Sequence, residues 1–598
     1  MGSQSFLIKQ KYKFLLLLIL LVAIFFRFWH LEQVPPGLYP DVAINGNDAL
    51  DALQSGHFKI FYSENNGREG LFINFIALSF YLFGASIWAI KIVPAVIGVF
   101  TVLGLYFLSK QLFLYLGTER AEKIALLSAF FISVSFWHVN FSRLGFRAIT
   151  VPFCLVWSFY FLFKLINGLG ERRQVLNESR RSVPQSGTRA GLEWEAKNEK
   201  LAGAPTWHLI FYAVSAGLFF GLGFHTYIAF RIAPLILIPV FLIALIKYWC
   251  VIKNYLDSGM GWFESFIQSY FKDGWCGWDL FVVAIIIAAL PMAMYFFQHP
   301  ADFMGRTGQV SILASENPAK ALFVSAAKTL GMFNIWGDCN WRHNYACRPM
   351  LLWPTGIFFL VGLTISLSAI FNSKKYLQKN WPVLEAHWTL LFWFGAMLMP
   401  AIMTNEGLPH ALRTIGAIPP VFIWAGFGFW WLCRKIKLFA APRIDWEKNR
   451  YQLFITCLLF LSLLVYVEFQ KYFLDWGQRS EVRDNFTQRL VDIGNYLNSL
   501  PAEIKKYIVV NENGVAVPYP NGISMPAQTI IFIERIEFNK PRATYLASEQ
   551  TDKIELNSAK TIVIPLKYDG DLFQGLQQKF PKGEIEILDT FSIFKINF

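Results

Sequence analysis

Charge is scarce in this chain: of 598 residues, 16% are Asp, Glu, Lys or Arg, against roughly 25% in an average soluble domain. Hydrophobic residues make up 55%, and the two figures together exclude an ordinary soluble protein and indicate a polytopic membrane protein. A tight ligand spacing of the His-x-x-x-His kind is missing, which argues against an obligatory metal, although a divalent ion on carboxylates and histidines stays open. Internal repeats and mid-span charges are missing too, which speaks against a transporter or flippase. No small-residue cleavage site follows the first apolar run, so Phe14 to Phe26, preceded by Lys9, Lys11 and Lys13, reads as an uncleaved anchor with a cytoplasmic N-terminus. The net charge of +13 does not mark a nucleic-acid surface. Residues 471–598 hold 15 Lys and Arg against 16 Asp and Glu, so the whole excess sits in the membrane part, where basic loops account for it.

Apolar runs at 14–26, 87–109, 124–138, 149–166, 207–223, 232–249, 279–297, 351–371, 386–403, 414–432 and 452–470 give about eleven crossings at the length a bilayer requires. Phe72 to Phe83 is shorter and reads as an interfacial helix. Starting inside, every even connection is basic: Lys110 to Lys123, Asn167 to Thr206, the loop with Lys253 and Lys272, Asn372 to Lys375, and Arg434 to Lys437. That is the positive-inside pattern. The polar run 167–206 reads as disordered. An odd number of crossings then places residues 474–598 outside, beyond a membrane domain of residues 1–473. This last part has an amphipathic helix near 481–500 and strand-like runs at 507–510, 529–533, 561–564 and 585–588, the pattern of a small soluble α/β domain.

The outer span ends carry Lys91, Arg143, Arg147, Arg231, Arg342, Arg348 and Arg413. Snorkelling explains any one of them. As a set they point to an anionic ligand, since guanidinium grips phosphate in a bidentate fork, and a phosphate at the membrane edge points to a lipid-linked one. Asp41, Asp48 and Asp51 are spaced to share one face of a helix, with Glu69 following on the same loop beside Arg68. Asp41 after Pro40 also suits a helix cap, and Glu69 also suits a solvated pair with Arg68. Cys339 and Cys347 lie in one outer loop, where oxidising conditions favour a disulfide.

The runs Pro35-Pro-Gly-Leu-Tyr-Pro-Asp41-Val-Ala, Gly67-Arg-Glu69-Gly-Leu-Phe, Ser142-Arg143-Leu-Gly-Phe-Arg147, Gly337-Asp-Cys-Asn-Trp-Arg-His-Asn344 and Pro409-His-Ala-Leu-Arg413-Thr-Ile-Gly resemble the polytopic glycosyltransferases of the protein O-mannosyltransferase and aminoarabinose transferase type. The resemblance covers roughly residues 10–470. It implies an all-α membrane domain of the GT-C kind with interfacial helices in the first outer loop, at the cytoplasmic membrane. It further implies sugar transfer, with inversion, from a polyprenyl-phosphate donor to a lipid, glycan or protein acceptor. Asp41 falls on the catalytic aspartate of that family, and Val42 stands where many members carry Glu. Glu69 is similar to an acidic residue of the aminoarabinose transferases and joins Asp41 as a catalytic candidate. Asp48, Arg68, Lys91, Arg143, Arg147, Tyr227, Arg231, Arg342, His343, His410 and Arg413 are the candidate substrate and phosphate ligands. Asp41 and Glu69 with His343 or His410 are the candidates for a divalent metal. A non-catalytic envelope assembly protein, with the C-terminal part as its working domain, is the remaining alternative.

Overall fold

The structure, a computed structural model, describes all residues except 1, 182–206, 268, 271–274, 305–311, 313–314, 373–379, 405, 441–448, 513, 515–521, 556–559 and 598. The eleven apolar runs coincide with helices. Among the described residues seven helices are long and apolar enough to cross a membrane: Ile87–Leu112, Arg147–Arg172, Ile228–Asp257, Cys276–Gln298, Trp353–Phe371, Ile415–Phe439 and Phe454–Gln478. The chain is a multi-pass membrane protein. The run expected to be disordered is helical through Arg181, and its remainder, 182–206, lies outside the described residues, as does most of the basic loop 372–375.

Several buried polar groups of the bundle find partners, as a low-dielectric interior favours. Arg27, near the end of the first helix α1 (Gly2–Phe28), is fully buried and donates to Ala23 O at 3.0 Å and Ser133 O at 2.9 Å. Near the other end of the bundle His387 joins Tyr115 at 3.0 Å to Ser366 at 2.8 Å, and Ser366 accepts from the Trp424 indole at 2.7 Å.

The connection after α1 carries regular structure of its own. Pro40 opens α2 (Pro40–Ser55), where its missing N–H costs nothing, and Gly56 closes it at φ 72°. Strands β1 (Phe61–Tyr62) and β2 (Arg68–Glu69) pair antiparallel across a turn in which Asn65, Asn66 and Gly67 all take positive φ. Helix α3 (Gly70–Phe83) follows, with Leu78, Tyr81, Leu82 and Phe83 exposed, the apolar face of an interfacial helix.

The C-terminal part is a five-stranded sheet of order β4-β3-β5-β7-β6, formed by Lys505–Val510 (β3), Thr544–Ala547 (β4), Thr561–Pro565 (β5), Glu584–Ile587 (β6) and Ser592–Ile596 (β7). β3 runs parallel to β4 and β5, and β7 is antiparallel to β5 and β6. Its alternating side chains feed two cores. On one face Val509, Val563 and Phe594 meet Phe573 and Leu576 of the Gly570–Lys579 helix; on the other Ile508, Ile562 and Ile564 meet Leu490, Ile493 and Ile530. The run 529–533, expected to be a strand, is instead the first half of the Gln528–Phe538 helix. Its β-branched residues are buried on nearly every side between the sheet and α2, and such all-round burial erases the periodicity that separates short helix from strand. The helix expected at 481–500 is broken into Ser480–Asn485 and Gln488–Ser499, with Thr487 at φ 52° between them.

Candidate active site

The β1–β2 hairpin gathers the acidic residues. From its turn Asn65 donates to Asp41 Oδ1 at 2.8 Å. Asp41 sits in the first turn of α2, but the cap position belongs to Tyr39, so the carboxylate is not a capping group and is only partly buried. At the end of the turn, Gly67 offers its carbonyl to Arg147 at 3.2 Å. Its φ of +82° is one that side chains rarely take, and an added Cβ would lie 2.6 Å from the Phe61 ring.

Arg68 turns inward. Its Nη1 lies 2.6 Å from Asp48 Oδ2 and donates to Asn45 Oδ1 at 2.9 Å, with both charged side chains buried. Burial pushes the Asp48 carboxyl up to about 6, only partly offset by Arg68. Glu69 accepts from Arg147 Nε at 2.8 Å, and the Arg147 guanidinium lies over the Tyr227 ring at 5.4 Å. Glu69, expected to be catalytic, is therefore 3% exposed and spends its carboxylate orienting Arg147.

The disulfide-closed loop supplies the opposite wall. Cys339 and Cys347 are bonded. Between them Arg342 stacks on Tyr39 at 4.0 Å, two residues before Asp41. His343 Nδ1 lies 3.0 Å from Asp338 Oδ2, an oxygen that also accepts from Ala411 N at 2.8 Å, and the His343 and His410 rings are 4.8 Å apart. With Asp338 accepting, His343 carries its proton on Nδ1 and leaves Nε2 to a ligand.

Of the residues expected around a divalent metal, His343 and His410 come together, but beside a different carboxylate. Asp41 and Glu69 are engaged with Asn65 and Arg147. Among the described residues the group able to hold an ion is Asp338, His343 and His410, with one ligand atom from each within 4.8 Å of the others. One carboxylate and two imidazoles suit a first-row divalent ion.

Two expected phosphate ligands are committed elsewhere. Arg143 is fully buried and donates to the carbonyls of Phe26, Trp29, His30 and Val34 at 2.8–3.0 Å. Lys91 is buried and donates to Glu32 O at 3.0 Å and Pro35 O at 2.9 Å. Both hold the backbone that leads into α2, where carbonyls outside regular structure need donors. Arg413 donates to Thr404 Oγ1 at 2.6 Å and Glu406 O at 3.0 Å. Arg231 donates to Phe303 O at 2.7 Å and stacks on Phe296 and Phe303.

The α2 amide Asn45, the hairpin amide Asn65 and the loop acid Asp338 were not anticipated as site residues. The Asn65-Asn66-Gly67 run is a hairpin signal that marks the turn, while no local signal ties Asp338 to His410, seventy residues away in sequence.

The C-terminal part grips α2 from outside. Asn47 Nδ2 donates to Gln528 O and Oε1, both at 3.1 Å; Arg535 Nη2 meets Asp51 Oδ1 at 2.5 Å; and Thr487 and Thr529 donate to Leu38 O at 3.0 and 2.8 Å. Asp51 thus faces this interface and not the Asp41 side. Gly37, at φ +80°, runs so close that an added Cβ would lie 2.3 Å from Phe486 O.

Residues 71–174 match the family described as dolichyl-phosphate-mannose-protein mannosyltransferase, a segment holding Lys91, Arg143 and Arg147. No curated protein matches the chain. Among solved structures, the apo state of ArnT from Cupriavidus metallidurans superposes with a TM-score of 0.52 at 12% identity, covering 100% of this chain and 99% of that one. The same protein bound to undecaprenyl phosphate gives 0.48 at 12% identity, over 100% and 98%. The archaeal oligosaccharyltransferase AglB from Archaeoglobus fulgidus, in complex with an inhibitory peptide and a dolichol-phosphate, gives 0.47 at 13% identity, over 99% and 74%. The fold is that of the polytopic membrane glycosyltransferases. The segment match and the fold both agree with the resemblance seen in the sequence motifs.

Proposed function

We propose that the protein transfers a sugar from a polyprenyl-phosphate donor to an acceptor on lipid, glycan or protein. In this reading the reaction takes place at the outer face of the cytoplasmic membrane, with Asp41 as general base. The observation that carries the reading is the partly exposed Asp41 carboxylate, fixed through one oxygen by Asn65 beside a wall that presents Arg342 on Tyr39 and Arg147 on Glu69. The family match over 71–174 and the shared fold support it.

The acceptor hydroxyl gives its proton to the free Asp41 oxygen as its own oxygen bonds to the anomeric carbon. The bond from that carbon to the lipid phosphate breaks on the opposite side, which inverts the centre, and the electron pair leaves on the phosphate. Guanidinium groups stabilise the growing phosphate charge, a role for which Arg147 and Arg342 are held rigidly by stacking and pairing. Arg231 adds positive charge at the rim. Glu69 is a positioning residue that keeps Arg147 in place, and Arg143 and Lys91 hold the loop on which Asp41 rides. A divalent ion on Asp338, His343 and His410 would tie the disulfide loop to the 409–413 segment.

The test is to supply the purified protein with radiolabelled polyprenyl-phosphate sugars and a membrane extract. Label should pass to an extract component with wild type and fail to pass with Asp41→Asn. Equal transfer by both proteins would refute the assignment of the base, and no transfer from any such donor would refute the reaction class.

A further inference from the structure

A second cationic site lies apart from Asp41. A cavity of about 250 Å³ opens between the N-terminal end of Trp353–Phe371 and the C-terminal end of Arg450–Phe469. Arg348 and Lys471 line it together with the Asn334 side chain, and Leu351, Trp353 and Val467 form apolar wall. No carboxylate is among its lining residues. Glu468 is buried and interacts electrostatically with Lys471, but it does not line the pocket, so the charged groups in the lining itself are both cations.

Two features of the chain build this arrangement. The last membrane helix ends in a π-helical turn, Gln470–Asp475, and such widened turns recur at functional sites because they re-aim side chains that a regular helix would stagger. Lys471 emerges from that turn, over the Phe136 ring at 4.9 Å. Arg348 directly follows Cys347 of the disulfide and stacks on Tyr345 at 4.0 Å. Arg348 and Lys471 are close enough to repel each other, and an anion seated between them would relieve that repulsion.

The surroundings identify the anion's carrier. Trp353 of the lining is exposed, and so are Ile335 and Trp336, which directly follow the lining residue Asn334; tryptophan is a residue type that sits at the headgroup level of a bilayer. Below them Leu459, Leu463 and Tyr466 expose a continuous apolar strip on the helix that leads up to Lys471, a track for an acyl chain.

We infer that the Arg348–Lys471 cavity binds the phosphate of an anionic membrane phospholipid, with its acyl chain along the Leu459–Leu463 strip. The site shares no residue with the proposed transfer site. It ties the disulfide loop that carries Arg342 and His343 to the last membrane helix, so lipid binding steadies a wall of the transfer site without entering it. Basic pockets at the ends of membrane helices recognise anionic headgroups by this chemistry.

The test is native mass spectrometry of the delipidated full-length protein titrated with dioleoyl phosphatidylglycerol, dioleoyl phosphatidylcholine or inorganic phosphate. One phosphatidylglycerol should be retained at least about tenfold more tightly than phosphatidylcholine, each tenfold being about 1.4 kcal/mol. Arg348→Ala with Lys471→Ala should abolish that preference, and Arg348→Lys with Lys471→Arg should keep it. Because Arg348 is exposed, Arg348→Gln alone will fold if the double variant does not, and it should reduce the preference at least about threefold. Equal retention of the two lipids, an unchanged preference in the alanine or glutamine variants, or tight binding of inorganic phosphate alone would each overturn the proposal, the last by making this a soluble-anion site.

Discussion

Asp41 and Asn65 form the smallest unit on which the proposed chemistry depends. Asp41→Asn keeps size and hydrogen bonding while removing the base, so kcat should fall by about 10² to 10⁴ with the protein folded, the usual range for loss of a general base. Turnover of the purified variant at saturating donor checks it, and more than half of wild-type activity would mean that Asp41 is only structural. Arg143 behaves in the opposite way. Removing it strips four backbone carbonyls of their donor in a buried site, so Arg143→Ala should lower thermal stability by about 3 kcal/mol or more. Donor affinity in whatever fraction folds should stay near wild type. Asp48 carries a pH signature. Its folded-state carboxyl sits at about 6, above its ordinary 3.8, so the folded protein takes up a proton before the unfolded chain does. This group therefore adds stability as pH falls from about 6 towards 4, at most about 3 kcal/mol. Melting curves of wild type and Asp48→Asn, compared between pH 7 and 4.5, should diverge with that sign.

At the scale of elements, the hairpin and the disulfide loop do the arranging. The sequence shows the residues of both, since Asn65-Asn66-Gly67 is a turn signal and the paired cysteines share one loop, but it does not show what they touch. The long-range partnerships of Arg143 and Lys91 with backbone carbonyls leave no local trace, and outer-end cations of that sort look alike whether they face a phosphate or a chain. The helix Gln528–Phe538 was hidden for a related reason: a β-branched run buried all round has no polar face to reveal its period. Two substitutions probe this level. Cys339→Ser with Cys347→Ser should cost roughly 2–3 kcal/mol at most for so short a ring, and should lower turnover by loosening Arg342 and His343, measurable as kcat against melting temperature. Gly37→Ala forces a side chain against Phe486 O at a left-handed position. It should destabilise by about 1–3 kcal/mol and slow transfer, since the displaced loop leads into Asp41.

For the whole molecule, composition and the spacing of apolar runs were enough to read a helical membrane bundle with a mixed C-terminal part, because bilayer thickness fixes helix length. The basic connections set an expectation for which side each loop occupies, and a reporter active only outside the cytoplasm tests it. It should be active when fused after Phe598 and inactive when fused within 182–206, and the reverse pattern would place the proposed reaction on the other face. The junction between α2 and the C-terminal helices also bears on how the protein is made. Asn47 waits for Gln528, 481 residues later, and at about 5–20 residues per second that interval is roughly 25–100 s of synthesis. Throughout it the first loop is already made while its clasp has yet to be translated. The newborn chain thus completes the setting of its first loop last, and a ribosome that stalls or a message that is cut short upstream of residue 528 releases a bundle without the clasp that sets α2.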